Sequence, residues 1–111
     1  MNSNITIDSK LSDIINTASK YNCITRVGVF GSYARGDFKE ANNVNLLYDY
    51  DETSVDSKEE LLEYIEYVDM LVRHVLHASK ADFVWYRDVF NSKDSQFRQS
   101  VLNDVIWIFI R

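Results

Sequence analysis

The sequence is poor in the residues that usually form turns or cross-link a small fold. Its 111 residues include no proline and one cysteine, and its three glycines, Gly28, Gly31 and Gly36, fall within nine consecutive positions. Average usage is about 7 % glycine and about 5 % proline, so nearly every turn must form without these residues. The single cysteine excludes a disulfide within the chain. The clustering of the glycines therefore marks the first place to look for function.

Long apolar segments are also absent. The apolar run Val105–Ile110 spans six residues, far fewer than the ~18 of a membrane helix. Residues 1–5 lack the basic and apolar parts of a signal peptide. With 46 % hydrophobic residues the chain can still bury a core, which excludes global disorder. We expect residues 1–111 to form one cytoplasmic domain that does not enter a membrane.

Positive charge is scarce in the middle of the chain. The net charge is −5, and residues 37–70 carry eleven acidic and two basic side chains. A surface that binds nucleic acid needs clustered lysine and arginine, so this region argues against nucleic acid as a partner. Its simplest interpretation is a solvated helix face.

Helix and strand patterns alternate along the chain. Short runs of β-branched and aromatic residues predict four strands, over Ile24–Phe30, Val44–Tyr50, Tyr67–Val72 and Val105–Ile110. Helical spacing and capping residues predict helices that begin after Asp8 or Ser9, at Ser57 and after Ser79, with a further helix over Gln96–Asn103. The alternation predicts an α+β fold (an α/β sandwich) in which helices flank a small mixed β-sheet.

The predicted elements also specify which side chains face the core. The helix from Ser57, which opens with a capping box, directs four apolar residues inward: Leu61, Leu62, Ile65 and Val68. The helix after Ser79 carries three aromatic residues on one face: Phe83, Tyr86 and Phe90. The last strand is apolar on both faces, so we expect it to be buried.

Two of the glycines frame the segment Gly31-Ser-Tyr-Ala-Arg-Gly36, directly after a predicted strand. A Gly-Ser turn offers a backbone N–H and a hydroxyl where no Cβ blocks close approach, and such a turn at a helix N-terminus binds phosphate. Arg35 adds a planar cation suited to phosphate oxygens. Close approach of a phosphate chain would explain why the glycines cluster here. From these residues alone, a tight strand-to-helix turn is an equally good interpretation.

The segment that follows extends this motif. The run from Gly31 to Leu47 resembles the signature of the polymerase-β-like nucleotidyltransferase superfamily, and most closely its minimal (MNT-type) members. That signature reads Gly-Ser-x-Ala-Arg-Gly, a short spacer, and then Ser-Asp-x-Asp-Leu on a strand. Here the spacer has the family length, and Val29-Phe30 provides the apolar lead-in. The resemblance covers roughly residues 8–72 and implies the nucleotidyltransferase fold.

The resemblance implies a nucleotide site and a metal site. ATP would be the substrate, and its phosphates would be bound by the glycine motif, through Gly31, Ser32, Arg35 and Gly36. In the family, two strand aspartates and a later one hold two Mg²⁺ ions. Carried over position by position, these catalytic and metal-binding positions fall on Asn43, Asn45 and Asp69.

Two of these three positions depart from the family pattern, because they are amides. Asparagine has no charge to place against Mg²⁺, which prefers carboxylates, and it cannot act as a general base. We therefore expect weakened or lost metal binding and impaired catalysis. Two origins fit a pair that keeps the shape of Asp-x-Asp: natural loss of the metals with a retained binding role, or a deliberate pair of Asp→Asn substitutions.

The resemblance also implies a reaction and a partner. The reaction is transfer of AMP from ATP to an acceptor hydroxyl with release of pyrophosphate. Minimal members are commonly antitoxins paired with a HEPN-type toxin, and some adenylylate a tyrosine of that toxin. The small size of this chain suits a protein acceptor. The alternative is a degenerate, non-catalytic interaction module that neutralises or scaffolds a partner by binding it.

Three further residues have simpler interpretations. His74 and His77 are spaced for one metal face, but no third ligand lies nearby in sequence, which favours surface or packing histidines. Cys23 has no neighbouring histidine in sequence that would activate it, which favours a structural thiol.

Overall fold

A four-stranded mixed β-sheet organises the protein, and the computed structural model describes residues 9–35 and 43–111. The strands are β1 (Ile24–Phe30), β2 (Asn43–Tyr50), β3 (Lys80–Trp85) and β4 (Ile106–Ile110). They lie in the order β3-β2-β1-β4, with β1 antiparallel to β2 and β4, and β3 parallel to β2. The helices are α1 (Ser9–Asn16), which runs into a 3-10 turn (Thr17–Lys20), α2 (Ser57–Val75), α3 (Tyr86–Phe90) and α4 (Ser95–Asp104). The predicted α+β fold with a small mixed sheet is confirmed.

One face of the sheet, here called the closed face, is covered by α1 and α2. Successive strand residues point to opposite faces, and on β2 the closed face receives Val44 and Leu46, both fully buried. They pack in one cluster with residues from β1, α1 and α2, including Val27, Val29, Leu11, Ile15, Tyr64, Val68 and Val72. Most of the apolar burial of the protein lies in this layer.

The opposite face, here called the open face, has a much smaller core. It consists of Phe30, Leu47, Val89 and Val101, contributed by β1, β2, α3 and α4. Because side chains two residues apart on a strand share a face, Asn43 and Asn45 lie on the open face with Leu47. The amide pair is therefore on the side of the sheet that α1 and α2 leave uncovered.

The ends of α2 show how the chain turns without glycine. Asp56 precedes the helix with φ 63° and His77 follows it with φ 59°, so both residues adopt the left-handed conformation that glycine usually occupies. The predicted capping box is wrong in its register. Ser57 is the first helical residue rather than the cap, and its hydroxyl donates to the carbonyl of Glu52 at 3.3 Å.

The third predicted strand, over Tyr67–Val72, is wrong, since these residues form the second half of α2. Their aromatic and β-branched content favours a strand, but Tyr64, Val68 and Val72 recur at a spacing of four and are all fully buried. The predicted helix after Ser79 is wrong over Lys80–Trp85, which form β3, and is confirmed over Tyr86–Phe90, which form α3.

Two burial predictions fail as well. Leu62, expected to face inward, is 58 % exposed on the outer side of α2. The last strand is an edge strand rather than a buried one, and Ile110 is 67 % exposed. The limits of β1 agree with the prediction, those of β2 and β4 differ from it by one residue at one end, and those of α4 differ by one residue at each end. None of the helices in the described part of the chain has the length and apolar character needed to cross a bilayer.

Candidate functional site

Three strands have their ends at one edge of the sheet. β1 leaves the sheet after Phe30, while β2 begins at Asn43 and β3 at Lys80. Because β1 runs antiparallel to β2, and β2 runs parallel to β3, the end of β1 meets the starts of the other two. We call this region the site edge. It comprises the turn 31–35 and four open-face side chains, Asn43, Asn45, Lys80 and Asp82.

The turn after β1 is built from one glycine and two buried anchors. Gly31 has φ +79°, a conformation that side-chain-bearing residues rarely adopt. The backbone N–H of Arg35 donates to the carbonyls of both Gly31 and Ser32, at 3.1 Å each. Tyr33 and Ala34 are buried in the closed-face cluster. Tyr33 and Ala34 thus anchor the turn in the closed-face cluster, while Gly31 and Ser32 of the same turn remain partly exposed.

Gly31 also brings the turn against β2. A Cβ at this position would lie 2.7 Å from Nδ2 of Asn45, a separation that real Cβ atoms do not show. The missing side chain therefore allows the amide of Asn45 to pack against the turn. The contact links the two halves of the sequence motif.

Gly28 has a different function from Gly31. A Cβ there would lie 2.8 Å from the carbonyl oxygen of Ile106 and 2.8 Å from a methyl carbon of Val105. The pairing of β1 with β4 shifts register between Val27 and Gly28. Gly28 thus allows β4 to pack closely at a bulge, so the interpretation that the glycine cluster serves a phosphate chain is wrong for this residue. Gly36 lies outside the described residues.

Arg35 is held at the site edge by a residue that the sequence did not indicate. Its guanidinium pairs with the carboxylate of Asp104 at the end of α4, and its Nη2 lies 3.4 Å from Oγ of Ser32. The side chain of Arg35 is about half exposed. The cation is therefore available to a ligand and positioned by α4.

The two amides lie beside two charged residues of β3, on the same face of the sheet. Asn43 is in register with Lys80, and Asn45 with Asp82. Neighbouring strands are about 4.8 Å apart and paired residues share a face, so each pair lies side by side. Nζ of Lys80 is 3.2 Å from Oδ1 of Asp82. The site edge thus contains one carboxylate beside the two amides, and a lysine already neutralises it.

Asp69 does not join this group. It lies on α2, and its carboxylate accepts hydrogen bonds from Nε of Arg73 at 2.9 Å and from the backbone N–H of Ala81 at 2.8 Å. The strand on which the sequence placed it does not exist. Lys80 and Asp82 were missed because their position depends on strand pairing, which the wrong assignment of β3 concealed. Asp104 was missed because its contact with Arg35 depends on how α4 packs.

The donor set of the site edge does not fit a divalent metal. The described residues contain no group of three or more His, Cys, Asp or Glu side chains that could hold a metal ion. Mg²⁺ prefers carboxylates, but Asp82 of the site edge is paired with Lys80, and the adjoining Asp104 is paired with Arg35. The two amides supply no charge to replace the missing carboxylates.

Cys23 is structural. Its side chain is fully buried and its thiol donates to the carbonyl of Ser57 at 3.5 Å. Burial is the main cause that raises the pKa of the Cys23 thiol, and nearby Glu60 raises it further. A thiol that is both buried and less acidic than usual is a poor nucleophile.

Comparison with known proteins shows which sequences this chain is similar to. Residues 12–111 match the family model described as polymerase beta, nucleotidyltransferase. Over 85 residues the chain is 31 % identical to the protein adenylyltransferase MntA of Thermococcus cleftensis, a match covering 77 % of this chain and 75 % of that protein. It is 27 % identical over 85 residues to a candidate protein adenylyltransferase of Methanocaldococcus jannaschii, covering 77 % of each chain.

The fold is similar to those of solved toxin–antitoxin structures. One is the crystal structure of a double Asp-to-Glu mutant of MntA–HpeT, with a TM-score of 0.56 and 13 % identity over 91 % of this chain and 73 % of that one. Another is a toxin–antitoxin structure with AMP-PNP, with a TM-score of 0.55 and 14 % identity over 90 % of this chain and 73 % of that one. At this identity the likeness concerns the fold. Since the family model spans most of the sequence, the chain belongs to the polymerase beta nucleotidyltransferase family.

Proposed function

We propose that residues 1–111 act as a single-domain antitoxin of the nucleotidyltransferase family, which binds ATP at the site edge and a toxin protein on its surface. In its present form it does not transfer AMP efficiently. The observation that carries the proposal is the composition of the site edge. The glycine turn is intact and in contact with β2, yet both motif positions on β2 are amides.

The phosphates of ATP are assigned to the turn after β1. Gly31 leaves the backbone approachable, Ser32 contributes a hydroxyl, and Arg35 contributes a partly exposed cation. Gly36 completes the motif in sequence. The likeness to a toxin–antitoxin structure with AMP-PNP supports nucleotide binding by a protein of this fold.

The third acidic position of the family is assigned to Asp82 in place of Asp69. Asp82 is in register with Asn45 on the same face of the sheet, whereas both carboxylate oxygens of Asp69 are engaged by Arg73 and Ala81. With aspartates at 43 and 45, three carboxylates would adjoin the phosphate turn. An amide carries no negative charge to hold a metal ion, and it cannot accept the proton of an attacking hydroxyl. With amides at 43 and 45 the reaction therefore lacks both the charge that would hold the metal and a general base.

The partner is assigned from the relatives. Both curated relatives carry protein adenylyltransferase in their names, and both structural neighbours are toxin–antitoxin proteins. These support a protein as the acceptor of AMP in the active form of this scaffold. The proposed acceptor is a tyrosine hydroxyl of a cognate HEPN-type toxin.

The test is to restore the carboxylates. The N43D/N45D variant, incubated with the product of the neighbouring gene, α-labelled ATP and Mg²⁺, should label the toxin at least roughly 100-fold faster than the unaltered chain. In that background D82N should abolish labelling and D69N should leave most of it. The reverse result would place the third position at Asp69. No labelling by any variant would contradict a transferase scaffold.

A second candidate function is neutralisation of the toxin by binding alone, and the amide pair favours it. It predicts that the unaltered chain protects cells from the toxin without labelling it. Toxin activity measured with and without ATP distinguishes the two. Protection that requires neither ATP nor carboxylates at positions 43 and 45 supports the binding module.

A further inference from the structure

We propose that the site edge binds the triphosphate of a nucleotide without a divalent metal, with Lys80 as the resident cation and the amides of Asn43 and Asn45 as direct donors to phosphate oxygens. The inference rests on the proposed nucleotide binding. It goes further by giving Lys80 a function and by making the binding independent of metal.

The first step of the argument is the position of Lys80. It is the first residue of β3 and is in register with Asn43, so its side chain leaves the same face of the sheet at the same edge. Its ammonium lies 3.2 Å from Asp82, and its side chain is about half exposed. An ammonium carries three donors, so after pairing with Asp82 it retains two for a ligand.

The second step is the charge of the site edge together with Asp104, the α4 residue that pairs with Arg35. Arg35 and Lys80 pair with Asp104 and Asp82, so these four side chains sum to zero. Aspartates at 43 and 45 would make the same group doubly negative and would repel a triphosphate until a cation screened them. The amides remove that repulsion, so phosphate binding no longer requires a metal.

The third step is the chemistry of the amides. An ionised carboxylate only accepts hydrogen bonds, whereas an asparagine side chain also has an NH₂ group with two donors. Asn45 packs against Gly31, and therefore against the turn assigned to the phosphates. Replacing Asp with Asn turns an acceptor that needs a bridging cation into a donor that meets a phosphate oxygen directly.

Mg²⁺ should also fail to strengthen ATP binding at this site. It would have to displace Lys80 from Asp82, and MgATP carries less negative charge than free ATP for Lys80 and Arg35 to attract. Free ATP should therefore bind at least as tightly as MgATP.

The test is calorimetric titration of the full chain with sodium ATP, in excess EDTA and in excess Mg²⁺. The expected Kd in EDTA equals or is lower than that in Mg²⁺. Binding that weakens roughly tenfold or more in EDTA overturns the inference and leaves the proposed function intact. Absence of binding under both conditions contradicts nucleotide binding itself, and with it the ATP-binding part of the proposed function.

Two variants test Lys80 directly. K80M should weaken ATP binding in EDTA roughly tenfold, as expected for the loss of one charged hydrogen-bond donor. The matched control is K58M, which removes an exposed lysine at the start of α2, over the closed face, and should change nothing. Equal binding by K80M and K58M would overturn the role of Lys80.

Two more variants separate this role from a fold defect. D82N frees Lys80 from its carboxylate and should strengthen ATP binding in EDTA several-fold, a gain that misfolding cannot produce. N43D/N45D should bind ATP roughly tenfold more weakly in EDTA and recover in Mg²⁺. If D82N weakens binding, or N43D/N45D binds equally well in EDTA, the inference is wrong.

Discussion

On the closed face, Val44 and Leu46 are fully buried beneath α1 and α2, whereas Asn43 and Asn45, one residue away on the same strand, are partly exposed on the open face. The period of two along β2 thus separates side chains that hold the fold from side chains that form the site. Neither amide belongs to an apolar cluster.

This separation explains how the site can change its chemistry while the fold persists. Exchanging carboxylate for amide at positions 43 and 45 alters charge at the edge of the open face and leaves the closed-face core untouched. The glycine turn bridges the two regions, because Tyr33 and Ala34 insert into the closed-face cluster while Gly31 contacts Asn45. Damage to the core should therefore reduce stability, and damage to the edge should reduce binding.

The largest expected effect compares two neighbouring leucines on opposite faces. Leu46 and Leu47 are both fully buried, the first in the large closed-face cluster and the second in the small open-face cluster. We expect Leu46→Ala to lower the free energy of unfolding by about 4 kcal/mol and Leu47→Ala by about 2–3 kcal/mol. The difference arises because a cavity with fewer rigid neighbours collapses more readily. Urea denaturation measures both losses, and an unchanged m-value shows that each variant changes stability alone.

The sign of that difference decides the comparison. Equal losses for the two leucines, or a larger loss for Leu47→Ala, would show that α3 and α4 hold the open face as firmly as α1 and α2 hold the closed one. The Leu46→Ile variant serves as a control, since it keeps volume and should cost less than about 1.5 kcal/mol.

The second prediction compares two glycines. Gly28→Ala places a Cβ against the backbone of β4 and should cost about 2 kcal/mol, while ATP binding by the folded fraction persists. Gly31→Ala imposes φ +79° on a side-chain-bearing residue and should cost about 1–2 kcal/mol. Its added Cβ also displaces the amide of Asn45 from the turn, so it should weaken ATP binding roughly tenfold. Thermal denaturation and calorimetric titration of both variants separate the two effects. Loss of ATP binding in Gly28→Ala alone would reverse the assignment.

Local patterns predicted much of the fold. β1 is a short β-branched run that ends at a glycine, and its limits could be read directly from the sequence. Residues 67–72 misled because β-branched and aromatic residues suit a strand. The helix continues through them because Tyr64, Val68 and Val72 form one helical face that is fully buried in the closed-face cluster. Long-range packing thus decided a segment whose propensity pointed the other way.

The candidate site divides in the same way. The turn at Gly31 and the amide pair lie within one continuous motif and could be identified from it. Asp82 and Lys80 enter the site through strand register, and Asp104 enters through the packing of α4. No periodicity within those segments indicates these partners. Asp82 and Lys80 could not be predicted without the pairing of β2 with β3, nor Asp104 without the packing of α4.

The smallest expected effect concerns pH and lies on the closed face. Tyr64 is fully buried and its hydroxyl donates to the carbonyl of Ile15 at 2.8 Å. Burial, with a smaller contribution from Tyr21, raises the pKa of the Tyr64 hydroxyl far above its usual value. The folded state therefore keeps a proton that the unfolded chain releases above about pH 10, so stability should fall as the pH rises past that value.

The variant Tyr64→Phe tests whether the Tyr64 hydroxyl causes this loss of stability at high pH and whether it has any part in ATP binding. It should cost about 1 kcal/mol at neutral pH through the lost hydrogen bond. Above about pH 10 its stability should decline less steeply than that of the unaltered chain, because one proton fewer is linked to unfolding. Denaturant unfolding across this range measures the slopes, and parallel curves would contradict the assignment. ATP binding at neutral pH should be unchanged, since Tyr64 and the site edge lie on opposite sides of the sheet.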